Sequence, residues 1–251
     1  MNRLFKNKFS GLLQLMLMLL IIIPVTLLTI NMDLKSSVGT AFGGFITIAT
    51  DSAGSRGFLI TLAVLCVATL ALKLPRKTLL AHMMVLAVLL VIGFASKTSL
   101  KVMTESPRPY TELLAQDLLI PTPIHFYNLD EQQQVQLIDT VSSEVSQWRT
   151  RHWQGEKDYS FPSGHTIFTA ICVAFFGGLF WQNKRYSWAI GVLVWAAAVM
   201  YSRLWIGMHR PVDLVGSTLF ITGVYAVMPS FHVIADKVYS RLPKRIQALL
   251  G

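Results

Sequence analysis

Eight residues in this 251-residue chain have types and spacing that could do chemistry: Lys101, Arg108, Ser163, Gly164, His165, Arg203, His209 and Asp213. They fall in three short strings. The first runs from Lys101 to Arg108-Pro109, the second is Phe161-Pro162-Ser163-Gly164-His165, and the third is Ser202-Arg203 followed by His209 and Asp213. A phosphate ester presents non-bridging oxygens that must be held while charge moves onto the leaving group. Arg suits that task because its guanidinium stays charged and pairs with phosphate bidentately, so Arg108 and Arg203 are the expected clamps, with Lys101 as a point charge. Ser163 is a natural helix cap, Gly164 lets backbone approach a ligand, and the free N–H groups of a helix start favour an anion. His209 and Asp213 are four positions apart, with Pro211 at an expected first helical turn. That spacing lets the carboxylate hold one ring nitrogen while the other attacks phosphorus. His165 is the expected general acid for the leaving oxygen, and then the base for water.

Taken singly, each of these residues has a plainer reading. A lone Lys or Arg beside an apolar run snorkels to water, Ser163 is accounted for by a helix cap, and a His/Asp pair could bind metal. The joint spacing favours the chemical reading, and three converging cations would repel a divalent ion. No metal and no cofactor are called for. His125 and His152 read as surface histidines of a loop, and His82 and His232 as residues facing the bundle or the membrane interface.

The elements that must position these strings are apolar. The composition is 53% hydrophobic and 14% charged, with a mean hydropathy of +0.52. Six stretches approach the ~20 residues that span a bilayer: 11–31, 57–74, 79–96, 165–182, 187–204 and 214–234. The expected fold class is therefore an all-α integral membrane bundle of six transmembrane helices, one domain over 1–251. The first stretch exceeds the ~7–15-residue core of a signal peptide and reads as an uncleaved helix, kinked at Pro24. Lys73, Arg76 and Lys77, then Lys184 and Arg185, then Lys237, Arg241, Lys244 and Arg245 put the basic loops and both termini on the cytoplasmic side. All three strings then share the opposite, periplasmic face. The formal charge of +9 is scattered beside apolar runs, which fits anionic lipid head groups and not nucleic acid. Cys66 and Cys172 lie inside apolar segments, which speaks against a disulfide or zinc site.

Residues 105–160 form a polar insert between spans three and four; the part 105–158 holds nine of the thirteen acids. Within it, Val135, Ile138, Val141, Val145 and Trp148 predict one amphipathic helix over 131–148. Residues 39–50 are apolar but Gly-interrupted and read as an interfacial or re-entrant piece. The six tryptophans and Arg210 fit interfacial anchoring, with Trp205 and Arg210 near a lipid head group.

The strings K-x6-R-P, P-S-G-H and S-R-x5-H-x3-D, in this order, resemble the type 2 phosphatidic acid phosphatase (PAP2) superfamily. That family also holds bacterial acid phosphatases and vanadium haloperoxidases. The resemblance covers about 57–234 and implies a six-helix membrane bundle whose His209 forms a phosphohistidine released by water. Within the family the likeness is to the bacterial phosphatidylglycerophosphatases, from the six-span plan, the long insert and His152-Trp153-Gln154 ahead of the second string. It implies phosphatidylglycerol phosphate as substrate, with undecaprenyl pyrophosphate, phosphatidic acid and related lipid phosphates. The alternatives are a dedicated undecaprenyl-pyrophosphate phosphatase or lipid phosphotransferase, a non-catalytic lipid binder or transporter, and a haloperoxidase. The intact histidines oppose the second, and the apolar spans oppose the third. The expected partners are lipid phosphates and the bilayer; the oligomeric state is left open.

Overall fold

A computed structural model describes residues 3–241, so Lys244 and Arg245 of the basic carboxyl-terminal run lie outside the described residues. The order of elements is α1 (Arg3–Leu27), α2 (Thr40–Ala53), α3 (Phe58–Leu70), α4 (Arg76–Thr104), α5 (Pro109–Gln116), a 3-10 turn (Pro123–Asn128), α6 (Glu131–Val141), α7 (Gln147–Gly155), α8 (Gly164–Cys172), a π turn (Val173–Gly177), α9 (Gly178–Gln182), α10 (Tyr186–Trp205), α11 (Pro211–Val227) and α12 (His232–Arg241). Among the described residues every regular element is helical.

The bundle is built around one helix. From His165 to Phe180 every residue of α8, the π turn and α9 is buried, and α1, α4, α10 and α11 pack around them. An apolar sequence without a polar face can be stable only when it is covered on all sides. The surrounding helices carry their surplus apolar side chains outward instead. Leu20, Ile23, Leu59, Val64, Val91, Val194 and Leu219 are all more than half exposed, which in water would be an aggregating surface and in a bilayer is a solvated one.

Four stretches are long and apolar enough to cross a membrane: Lys8–Leu27, Arg76–Gln116, Gly164–Gln182 and Tyr186–Trp205. Two further pairs reach that length only across a bend: α2 with α3, at 72°, and α11 with α12, at 64°. The expected second span, 57–74, is thus a helix of 13 residues, α3. The piece around 39–50, expected as interfacial or re-entrant, is the regular helix α2 joined to it by that bend. Pro24 lies inside α1 without ending it.

Residues 105–160 do not hang free. Tyr110, Leu114, Phe126, Ile138, Val141, Val145 and Trp153 form a second apolar core with Ile46, Trp205, Ile206 and Met208. The insert therefore seals the end of the bundle where α1, α4 and α10 finish and α8 and α11 begin. The single amphipathic helix expected over 131–148 is two helices. Asp130 caps α6 through a capping box with Gln133, and Ser146 caps a new helix, α7. At the break, 142–146, Val145 is buried in this core. Trp153 is fully buried, stacked on Tyr110 at 5.0 Å, and Trp205 is 5% exposed, so neither is an interfacial anchor. Apolar cover for the insert claims them first.

Candidate active site

The turn between α10 and α11 carries the nucleophile candidate. His209 is the last residue but one before α11, and Asp213 falls in that helix's first turn. One carboxylate oxygen of Asp213, Oδ2, accepts from three donors: His209 Nδ1 at 3.2 Å, the Arg210 backbone N–H at 2.9 Å and the Ser160 hydroxyl. Ser160 Oγ also lies 3.3 Å from His209 Nδ1. With Nδ1 carrying the proton, the Nε2 lone pair of His209 faces Arg108 Nη1 at 3.4 Å. Burial, then Arg108, Arg203 and Lys101, push His209 well below the usual imidazole range. Both effects favour the neutral ring, which is the form a nucleophile needs.

The cations converge from three elements. Lys101 is 6% exposed in the last turn of α4. That helix ends at Thr104 with Glu105 in the left-handed region (φ 42°), and Arg108 is the N-cap of α5. The two cations therefore lie on either side of a break between two helices of the stretch Arg76–Gln116. Arg108 and Arg203 are both fully buried. Arg108 Nη1 donates to the Met208 carbonyl at 3.1 Å, and Arg203 Nη1 donates to Thr50 Oγ1 on α2 at 2.8 Å. Arg203 Nε has no partner among the described residues.

Two acids that the sequence reading left among the solvated loop residues occupy this cluster. Glu156 Oε2 accepts from Arg203 Nη2 at 2.8 Å and from Arg108 Nη2 at 3.4 Å, and its Oε1 is 3.9 Å from His165 Nε2. Asp158 accepts from Arg108 Nη2 at 2.6 Å and pairs with Lys101 at 3.0 Å. Burial by itself would raise the Glu156 carboxyl, but Arg203, His165 and Arg108 together hold it well below the carboxylate range. Burial opposes the same fall at Asp158, where Arg108 and Lys101 prevail.

The second string begins α8, the buried central helix. Ser163 Oγ accepts from the Thr166 backbone N–H at 3.3 Å, and the Ser163 N–H donates to Ser217 at 3.0 Å. The hydroxyl thus works as a cap, and the N–H groups of Gly164 and His165, at the start of the helix, have no intrahelical carbonyl to reach. The His165 ring points toward Glu156 and against Gly54 at the α2–α3 bend. A Cβ on Gly54 would lie 2.8 Å from His165 Nε2.

The structure therefore brings all eight candidates to one end of the bundle. It adds Ser160, Glu156, Asp158, Thr50 and Gly54, which no motif spacing signalled. His152, read as a surface histidine, is 7% exposed on α7; burial and then Arg203 and Arg151 lower it to about 4, so it is a neutral packing residue. His125 is half-buried in the 3-10 turn. His82 and His232 meet at the opposite end, their ring centroids 6.2 Å apart. Arg210 pairs with Glu112 at 2.5 Å, which ties α11 to α5. Among the described residues no group of three or more His, Cys, Asp or Glu is placed to hold a metal ion.

Known proteins resemble this chain in sequence. Phosphatidylglycerophosphatase B of Escherichia coli K12 is 36% identical over 146 residues, 57% of either chain. The Haemophilus influenzae protein of that name is 31% identical over 168 residues, 63% of this chain and 68% of its own. Undecaprenyl-diphosphatase BcrC of Bacillus subtilis is 36% identical over 61 residues, 24% of this chain and 28% of its own. The match thus spans little more than half the length of the Escherichia coli relative. Residues 78–238 match the PAP2 superfamily as a whole, a stretch that contains all three strings and most of the helices that hold them, and the chain belongs to that superfamily.

Proposed function

We propose that this protein is an integral membrane lipid phosphate phosphatase that hydrolyses phosphatidylglycerol phosphate to phosphatidylglycerol. On the same reading it also acts on undecaprenyl pyrophosphate, phosphatidic acid and related lipid phosphates. The observation that carries it is the polarity of His209: Nδ1 is held by Asp213 at 3.2 Å while Nε2 faces the Arg108 guanidinium at 3.4 Å. A phosphoryl group held by Arg108, Arg203 and Lys101, with the N–H groups of Gly164 and His165, would present its phosphorus to that lone pair. The His209 Nε2–P bond forms as the P–O ester bond breaks, and His165 gives its proton to the leaving oxygen. Water then attacks the phosphohistidine, His165 takes the water's proton, and inorganic phosphate leaves. Asp213 stabilises the imidazolium character of His209 in both steps. The three cations supply the charge stabilisation that a metal ion gives in other phosphatases, so the reaction needs none.

The proposed setting is the bacterial inner membrane, with six passes, the α2–α3 and α11–α12 pairs counting as one each. Both termini lie in the cytoplasm, and the site with its 105–160 insert faces the periplasm. Lys73, Lys77, Lys184, Arg185 and Lys237 favour that orientation. The names of the relatives support the substrate class, and the site itself grips a phosphoryl group and not a tail.

The test is phosphate release by the purified protein in detergent from a panel of lipid phosphates: phosphatidylglycerol phosphate, phosphatidic acid and undecaprenyl pyrophosphate. Turnover should survive excess EDTA and be suppressed by vanadate. His209→Ala should abolish both turnover and acid-labile labelling by substrate phosphate. His165→Ala should still take label from p-nitrophenyl phosphate, whose leaving group needs little protonation. Loss of turnover on chelation, restored by magnesium, would sink the metal-free mechanism, and label surviving in His209→Ala would exchange the roles of the two histidines.

A further inference from the structure

Glu156 lies where a phosphoryl oxygen would have to go. Its carboxylate bridges both buried guanidiniums, at 2.8 Å to Arg203 and 3.4 Å to Arg108, and comes within 3.9 Å of His165. These are three of the groups proposed to hold and protonate the substrate. The cations are fully buried and the Glu156 side chain is 32% exposed, so the carboxylate stands at the mouth of the pocket between them and solvent.

The two acids of this segment are held differently. Asp158 engages Arg108 through both its carboxylate (2.6 Å) and its backbone carbonyl (2.7 Å), and it also pairs with Lys101. The Tyr159 carbonyl accepts from Lys101 as well. Asp158 is thus part of the frame that orients the clamps. Glu156 reaches the cluster by its side chain alone. It follows Gly155, the last residue of α7, around which a Cβ would meet nothing within 4 Å. No regular element intervenes between α7 and α8, while Trp153 anchors α7 by donating to the Ile206 carbonyl at 2.7 Å. Glu156 can therefore leave the pocket without unseating the helix before it.

We propose that Glu156 is an internal competitor for the phosphoryl pocket, a residue that sets the affinity an anion must have to enter. The proposal rests on the phosphatase reading above. A bilayer surrounds the site with phosphodiester head groups carrying one negative charge on phosphate, at a local concentration far above that of any substrate. A phosphodiester that replaces Glu156 exchanges one negative charge for another and gains nothing on the three cations. A phosphomonoester carries about 1.5–2 negative charges at neutral pH and adds charge where Lys101, Arg108 and Arg203 converge. The carboxylate thus keeps the abundant diesters below their binding threshold while the monoester clears it.

An internal competitor has a signature that a residue touching the ligand lacks. Displacing it imposes the same penalty on every anion, because the apparent dissociation constant is the intrinsic one divided by the fraction of protein with an open pocket. The experiment uses the full chain in detergent, with p-nitrophenyl phosphate as substrate and inorganic phosphate, vanadate and bis(p-nitrophenyl) phosphate as inhibitors. In Glu156→Gln the inhibition constants of all three should fall by one common factor, about tenfold, and the diester should become a measurable inhibitor. Glu156→Asp, with a shorter reach, should show a smaller common shift and covers the case in which the Gln variant does not fold. Glu144→Gln, which removes an exposed acid paired with Lys35, should change none of them. Unchanged or weakened anion affinity in the Glu156 variants would overturn the proposal. So would shifts that differ among the three anions, since these would mean that Glu156 contacts the bound ligand. Stabilisation of the protein by inorganic phosphate, read as a melting shift, follows anion binding without turnover. A protein that binds phosphate in this pattern but releases none from any ester would refute the phosphatase reading and leave the competitor standing.

Discussion

Replacing Asp213 by Asn tests how the carboxylate acts on His209, and the structure fixes what the amide can do. Oδ2 receives three donors, from His209, Arg210 and Ser160. Oδ1 is buried without a partner among the described residues. An Asn side chain can put its oxygen only at the first position without facing N–H against N–H, so its NH2 group falls into the second. In that orientation His209 keeps its Nδ1–H tautomer and loses only the negative charge beside it. A hydrogen bond to a charged partner contributes ~1.5–3 kcal/mol and a neutral one ~0.5–1.5 kcal/mol. The loss grows as the imidazole gains positive character in the transition state, so ~1.5–3 kcal/mol is the expected cost, or about ten- to 150-fold in kcat. The flipped amide would force the wrong tautomer, for which the serine-protease precedent is a loss of about 10⁴. Stability should drop as well, by ~1–3 kcal/mol, because a buried NH2 group finds no acceptor. The assay is kcat for p-nitrophenyl phosphate in detergent, with a melting curve on the same sample. A loss below threefold, or a raised KM with kcat unchanged, would refute the view that Asp213 acts through the charge that builds on His209.

Other perturbations follow from the same contacts. Gly54→Ala places a methyl group 2.8 Å from His165 Nε2, so phosphoryl transfer to poor leaving groups should fall at least about tenfold while p-nitrophenyl phosphate is affected less; equal losses on both would mean that the ring does not need that space. Arg149 is fully buried, stacks on Trp205 at 4.0 Å and donates to the Leu34 and Ser36 carbonyls at 2.8 and 3.0 Å. Arg149→Ala should therefore cost about 3–5 kcal/mol, seen as a lower melting temperature and as protease cleavage within 105–160; an unchanged melt would mean that this tie does not hold the insert. The Glu156 carboxyl lies below its ordinary value of 4.5, so its contribution to stability is fully present above pH 4.5 and is lost as pH falls through its lower folded value. The melting temperatures of wild type and Glu156→Gln should differ at pH 7 and approach one another in stronger acid; a gap that persists below that range would assign the difference to shape and not to charge.

The sequence by itself determined the all-helical, apolar character of the chain and the family to which its three strings belong, because both are written at short range. Apolar runs such as 165–182 specify a buried or lipid-covered helix whatever packs on it, and His209 and Asp213 meet because a carboxylate in the first turn of α11 reaches back over the start of its own helix. What only the tertiary structure decided lies between residues far apart in sequence, where no periodicity records a contact. Ser160 reaches Asp213 across 53 residues, and Arg203 reaches Thr50 across 153. The helix expected over 131–148 kept an apolar stripe, but it is broken in two where Ser146 caps α7 and Val145 is buried. His152 and Trp205 carried surface signatures and were buried because the insert needed their bulk as cover. Glu156 looked like one more acid in a solvated loop. Its role was set by two buried guanidiniums arriving from α5 and α10, since a desolvated cation draws in whatever anion the fold leaves within reach.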